Sequence, residues 1–162
     1  MNPIVNKKTK ILILGTFPGK ASLEKNEYYS DKNNDFWKLI GIDKSLKYKE
    51  RIEKMEMLGI GIWDVFKNVQ REGSIDLKIE SGDLNDFMII RKKCLSLKII
   101  YFNGKKIINR IRKIKKCDIE EMLEKEFNNT ITIKSLYSSS GANRKYIKER
   151  KKEWQIFKKS KM

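Results

Sequence analysis

Four short apolar runs constrain this chain more than any other feature. Lys10–Thr16, Ile60–Phe66 (IGIWDVF), Lys98–Asn103 (KIIYFN) and Thr130–Leu136 (TITIKSL) are each rich in Ile or aromatics, and each gives way to Gly, Asn or Ser. Runs of this length with such boundaries predict buried strands. Patterns of helical period lie between them. Lys47–Leu58 carries Ile52, Met55 and Leu58, and Asp83 is placed to cap a helix with Leu84, Phe87, Ile90 and Cys94 on one face. Lys105–Lys115 carries Ile107, Ile108, Ile111 and Ile114, Asp118 opens a helix through Met122 to Phe127, and Arg144–Lys159 brings Ile147, Trp154 and Phe157 together. Strands alternating with helices predict βαβ units. The expected fold is an α/β, three-layer α/β/α sandwich around a central four-stranded, mainly parallel sheet, as one domain over residues 1–162.

In such sheets the ligand lies beyond the carboxyl ends of the strands. The first loop there is the most informative: Gly15-Thr16-Phe17-Pro18-Gly19 leads into a polar stretch with Tyr28, Tyr29, Asn34, Phe36 and Trp37. Aromatics with an amide suit a flat, hydrogen-bonding ligand, and a nucleobase is one. The second loop is Trp63-Asp64-Val65 with Val69–Asp76 (VQREGSID), where Asp64 either contacts a ligand or caps the next loop. Arg71, Ser74 and Asp76 are expected to organise their own loop. In the third, Phe102-Asn103-Gly104, Asn103 is a ligand contact or only a turn residue. The fourth, Tyr137-Ser138-Ser139-Ser140-Gly141-Ala142-Asn143-Arg144, offers small hydroxyls and N–H groups before a helix, which suits either a phosphate or a plain N-cap. Tyr146, Trp154 and Phe157 are expected to pack the core.

Charge narrows the partner. The net charge of +16 is concentrated: Arg91–Lys116 holds 11 Lys or Arg and no acid, and Arg144–Met162 holds 9 bases against Glu149 and Glu153. Localised excess of this kind is the footprint of a phosphate-backbone partner; RNA or a membrane surface is compatible with it, and Lys-rich solvated helices produce basicity as well. The 162-residue chain has no apolar run of about 18 residues and no signal-peptide pattern in MNPIVNKKTK, so no membrane span or secretion is expected. With no His and only Cys94 and Cys117, neither a metal site nor Cys-His catalysis is expected, and no cofactor is implied. A cytoplasmic location with reduced thiols follows as the expectation.

The segments GTFPGKASL, YYSDKNNDFW, GIWDV, REGSID, IYFNG and SSSGAN, in that order, resemble the uracil-DNA glycosylase superfamily, and within it the hypoxanthine-DNA (deoxyinosine) glycosylase branch. The resemblance spans roughly three quarters of the chain. It implies a four-stranded parallel sheet and cleavage of an N-glycosidic bond in DNA, with the deaminated base, hypoxanthine or uracil, flipped out of the stack and an abasic site left behind. The family's catalytic asparagine matches Asn34. Its first motif falls on Gly15, Phe17, Pro18 and Gly19 and continues to Tyr29, Asn34, Phe36 and Trp37. Its last motif falls on Ser138, Ser139, Ser140, Ala142 and Asn143. Two positions depart from the pattern: Asp31-Lys32 stands where His-Pro is usual, and Gly141 stands where Pro is usual.

On this basis Gly15, Thr16, Phe17, Pro18, Tyr29, Phe36, Asp64 and Asn103 are expected to hold the base, and Ser138, Ser139, Ser140, Asn143, Arg144 and Lys145 the DNA phosphates. The implied activity is that of a monofunctional DNA repair glycosylase acting as a monomer on DNA, with no membrane and no obligate protein partner. Two other readings stay open: a catalytically inactive nucleic-acid-binding relative, and a flavodoxin-like nucleotide-binding module, which the lack of a Gly-rich phosphate loop and the presence of Pro18 disfavour.

Overall fold

A computed structural model describes residues 1–73, 78–142 and 144–159. Four strands, β1 (Ile11–Gly15), β2 (Ile60–Asp64), β5 (Ile99–Asn103) and β6 (Thr132–Leu136), form a parallel sheet in the order β2-β1-β5-β6. The inner pair, β1 and β5, is buried almost throughout, as is β2, and strands covered on both faces read as unbroken apolar runs. Edge strand β6 instead alternates, exposing Thr132 and Lys134. Register is level across the sheet: Ile11 pairs with both Ile60 and Ile99, and Ile99 with Thr132. Consequently Gly15, Asp64, Asn103 and Leu136 end on one edge. The chain leaves β1 toward β2 on one side, and β5 leads to β6 on the other, so the topological switch point lies between β1 and β5.

Helices α1 (Lys20–Lys25), α2 (Phe36–Leu39) and α3 (Tyr48–Met57) follow β1; α4 (Met88–Lys93) precedes β5; α5 (Ile107–Lys115) and α6 (Ile119–Glu126) follow it; α7 (Ile147–Lys159) closes the chain. Asp118 caps α6 as expected, its carboxylate accepting from Glu120 and Glu121 N–H. The single turn α2 is fixed by aromatic edges. Phe36 meets Trp37 at 5.1 Å and Trp154 of α7 at 6.0 Å, both near perpendicular, and all three rings are fully buried. Trp154 and Phe157 are core residues, as the sequence implies.

Several expectations are corrected. The Ile60–Phe66 run is not one strand. β2 stops at Asp64, Val65 and Phe66 donate to the carbonyls of Gly15 and Thr16, and the chain turns into an antiparallel hairpin of β3 (Phe66–Arg71) and β4 (Ile79–Leu84). Asp83 and Leu84 therefore lie in a strand rather than opening a helix. Asn68 holds Asp83 across the ladder through Nδ2 to Oδ2 at 3.0 Å and by accepting from Asp83 N–H. Asp86, three residues later, accepts from Met88 N–H where the helix begins. The last helix starts at Ile147 rather than Arg144, and this takes Tyr146 out of the core. Ser74 and Asp76 lie outside the described residues.

Candidate active site at the sheet's carboxyl edge

A cavity of about 810 Å³ opens at the switch point, walled by the loops that follow β1, β5 and β6 and by Asp64 at the end of β2. At its floor Gly15 has no room for a side chain. A Cβ there would stand 2.6 Å from Asp64 Oδ1 and 3.3 Å from Tyr29 Oη. Asp64, only 6% exposed, thus sits beneath the first loop with its carboxylate against the glycine. Thr16 also lines the cavity, but its buried hydroxyl has no hydrogen-bond partner among the described residues.

Tyr29 adopts φ 55°, a left-handed conformation unusual for an aromatic residue. Two contacts hold it there: its ring stacks on Phe36 at 3.9 Å and 15°, and its hydroxyl accepts from Asn103 Nδ2 at 3.3 Å. Phe36 is therefore not a base contact. It is fully buried, does not line the cavity, and supports Tyr29 from behind. Asn103 lines the cavity and also acts as a fastener. Its Nδ2 donates to Ser139 Oγ at 2.8 Å and its Oδ1 accepts from Ser139 N–H at 2.9 Å, which pins the fourth loop to the floor.

Phe17 and Pro18 form the first loop's lip. Arg71 reaches over from β3, its guanidinium 5.2 Å from the Phe17 ring centroid, and donates to the Phe17 and Pro18 carbonyls as well as to Gly73 O. Arg71 thus organises the first loop in addition to its own.

Asn34 lines the cavity and has a determined orientation. Its Oδ1 accepts from Phe36 N–H at 3.0 Å, so the side-chain amide N–H groups are the part offered to a ligand. Lys44, which the sequence did not single out, holds the turn beneath it, donating to the carbonyls of Asp31 (3.2 Å), Lys32 (2.7 Å) and Asn34 (3.1 Å). Arg150, only 4% exposed, joins this turn to the fourth loop. It pairs with Asp35 and donates to Ser138 O at 3.2 Å and Ser140 O at 3.3 Å. Asp35 N–H in turn donates to Ser139 O at 3.0 Å.

The serine cluster is less open to a phosphate than the sequence implied. Ser139 is fully buried and bonded to Asn103, while Ser138 Oγ and Ser140 Oγ accept from the N–H groups of Ser140 and Ala142. The helix that was to receive the phosphate begins only at Ile147. Cations surround the opening instead: Lys105, Lys106, Arg110 and Arg144 all line it. Lys105 pairs with Glu153 and Arg110 donates to Ile79 O, whereas Lys106 and Arg144 make no ion pair with any described residue. Lys145 lies off the cavity wall, its ammonium 5.4 Å from the Tyr146 ring centroid, and Asn143 lies outside the described residues. Among the described residues no three His, Cys, Asp or Glu side chains stand together as metal ligands, and no helix is long and apolar enough to cross a membrane.

The fold and site define an α/β protein with a cavity at the switch point of a parallel sheet, carrying an amide donor, a buried carboxylate and a cationic rim. Comparison with known proteins narrows this class. The profile of the Uracil DNA glycosylase superfamily matches residues 3–159. A hypoxanthine DNA glycosylase of Methanosarcina barkeri is 40% identical over 157 residues, covering 94% of this chain and 92% of that protein; one of Methanosarcina acetivorans is 38% identical over the same shares. The solution NMR structure of a Methanosarcina acetivorans protein assigned to the uracil DNA glycosylases superposes with a TM-score of 0.80 at 34% identity, over 100% of this chain and 97% of that one. The chain belongs to the uracil DNA glycosylase superfamily.

Proposed function

We propose that this DNA glycosylase removes hypoxanthine from DNA, with Asn34 as its catalytic residue. The observation that carries the residue assignment is the Phe36 N–H bond to Asn34 Oδ1, which leaves the Asn34 amide as a fixed donor on the cavity wall. When the bond between C1′ and the base nitrogen breaks, its electron pair goes to the base. A donor already aimed at that charge lowers the barrier without reorganisation. Water adds its oxygen to C1′ and its proton ends on the base. The substrate assignment rests on the two relatives named for hypoxanthine at 40% and 38% identity.

The rest of the pocket suits that chemistry. Phe17 and Tyr29 give faces for stacking, and Gly15 leaves room for Asp64 and Tyr29 to close the floor beneath the base. Asp64 accepts from the lactam N–H, a group that hypoxanthine and uracil carry and adenine lacks. We propose that the protein acts on DNA as a monomer. Free Cys94 and Cys117 fit a reducing cytoplasm.

The test is single-turnover cleavage of oligonucleotides holding one hypoxanthine, uracil, xanthine or thymine, single-stranded and opposite each base. Alkali-labile cleavage at hypoxanthine, lost with Asn34→Ala, is the expected result. Unchanged cleavage by Asn34→Ala removes the catalytic assignment, and cleavage at uracil alone replaces the substrate.

A further inference from the structure

Two tyrosines on the cavity wall take no part in the chemistry above. The rings of Tyr137 and Tyr146 stack 5.0 Å apart at 24°. The inner one is immobilised: Tyr137 N–H donates to Glu153 Oε1 at 2.6 Å, its carbonyl accepts from Trp154 Nε1 at 2.9 Å, and Lys105 Nζ stands 4.7 Å from its ring centroid. That ammonium is in turn fixed by Glu153 Oε2 at 2.6 Å and Ser135 O at 2.8 Å. Tyr146 is different. It lies just before α7, is 38% exposed, and has the exposed Lys145 ammonium 5.4 Å from its centroid. A ring so exposed adds little to the core, yet it is held flat on a fixed neighbour.

Aromatic faces set among cations are the chemistry that receives a nucleobase with a phosphate on either side. Drawing one nucleotide into the cavity leaves the next base in the strand unstacked on one side, at the rim. We infer that Tyr146, backed by Tyr137, is a second base-binding subsite that stacks on the base adjacent to the extruded nucleotide. Lys145 moves from the ring to the flanking phosphate as the base arrives. The inference rests on the reading of the cavity as the seat of the extruded nucleotide.

A thermodynamic cycle tests it. Single-stranded oligonucleotides carry one tetrahydrofuran abasic unit, alone or with a second such unit immediately 5′ or 3′. Their affinities are measured by fluorescence anisotropy at fixed salt for the native protein, Tyr146→Ala and Tyr146→Trp. Removing the base on one flank is expected to weaken native binding about tenfold. Tyr146→Ala is expected to weaken binding by a similar factor without adding to that loss, and Tyr146→Trp to restore the dependence on the flanking base. If the two losses add fully at both flanks, the subsite does not exist, however much the affinity falls. Tyr146→Leu carries the cycle if the alanine variant fails to fold. Cleavage at hypoxanthine and its loss in Asn34→Ala are scored on separate oligonucleotides, so failure of the glycosylase reading shows there and failure of the subsite shows here.

Discussion

Arg150 on α7 reaches Asp35, 115 positions earlier in the chain, with Nη2 2.5 Å from the carboxylate Oδ2. The same guanidinium holds the carbonyls of Ser138 and Ser140, so one buried side chain locks the turn of Asn34 to the loop that closes the cavity. Removing one partner of a buried pair leaves the other uncompensated. Arg150→Ala is expected to destabilise the fold by about 3 kcal/mol, the lower end of the usual range because Asp35 is one-third exposed. Arg150→Lys keeps the charge but loses the fork, and it should fall between. Denaturant midpoints measure both, and equal midpoints for all three proteins would show that the lock carries no stability.

One departure from the family's pattern, Gly141, packs against Asn33, the residue that follows the other, Asp31-Lys32. A Cβ on Gly141 would stand 2.6 Å from both the Cβ and the carbonyl oxygen of Asn33, inside the Asp31-Lys32-Asn33-Asn34 turn. Glycine lets the fourth loop close onto that turn where a proline ring would hold it off. Gly141→Pro, although it restores the residue usual in the family, is expected to lower the single-turnover rate about tenfold or more by displacing Asn34. A rate at or above that of the native protein would show that the loops part without consequence.

Much of the architecture was legible because β1, β2 and β5 are covered on both faces, and such strands are apolar without interruption. The β3–β4 hairpin was not. FKNVQR and IESGDL are mostly exposed polar strands held by ladder bonds and the Asn68–Asp83 pair, and no apolar alternation marks them. Asp83 before Leu84, Phe87 and Ile90 imitates a helix cap as a result. At the site, the order of the loops could be read, but not the functions of their cations. In a chain with 37 Lys and Arg, nothing local separates Arg150 or Lys44, which bind the protein's own carbonyls, from residues that face phosphates. Phe36 and Tyr29 were equally hard to rank. Only burial and the lining of the cavity show which one faces it and which one supports it.

Lys44 gives a prediction that separates rate from stability. Its ammonium satisfies three carbonyls of the Asn34 turn from a half-buried position, so it shapes the turn more than it holds the fold. Lys44→Met is expected to reduce the single-turnover rate about ten- to a hundredfold, while the unfolding free energy changes by less than about 1 kcal/mol. Affinity for abasic DNA should remain near native. A loss of affinity with an intact rate would place Lys44 on the DNA instead.

Alkaline pH should weaken the fold through two buried groups. Burial pushes the Cys94 thiol up to about 11, and burial, with the Asp64 carboxylate adding to it, raises the Tyr28 phenol above its ordinary range. Both bind their protons more tightly in the folded chain. The unfolded thiol ionises near pH ~8.5 and the phenol near ~10, so their contribution is complete below those values and is lost as pH rises through the folded values. Urea midpoints should hold from about pH 7 to 8 and then fall, and Cys94→Ala should flatten the first part of the decline. A midpoint independent of pH up to about 10.5 would contradict the burial of both groups.

The phosphate path can be located by salt. Lys106 and Arg144 line the cavity and make no ion pair with a described residue, whereas Lys105 is held by Glu153 and Arg150 by Asp35. Cations not already paired are the ones whose approach to DNA releases counterions. Each neutralised phosphate contributes about 0.7 to 0.9 to the slope of log affinity against log salt. Lys106→Ala and Arg144→Ala should therefore each reduce that slope by nearly one unit and weaken binding to every sequence alike. Titrations of one abasic oligonucleotide at four or more salt concentrations measure it. An unchanged slope in both variants would move the phosphate path away from this rim and onto the exposed face of α5 or α7.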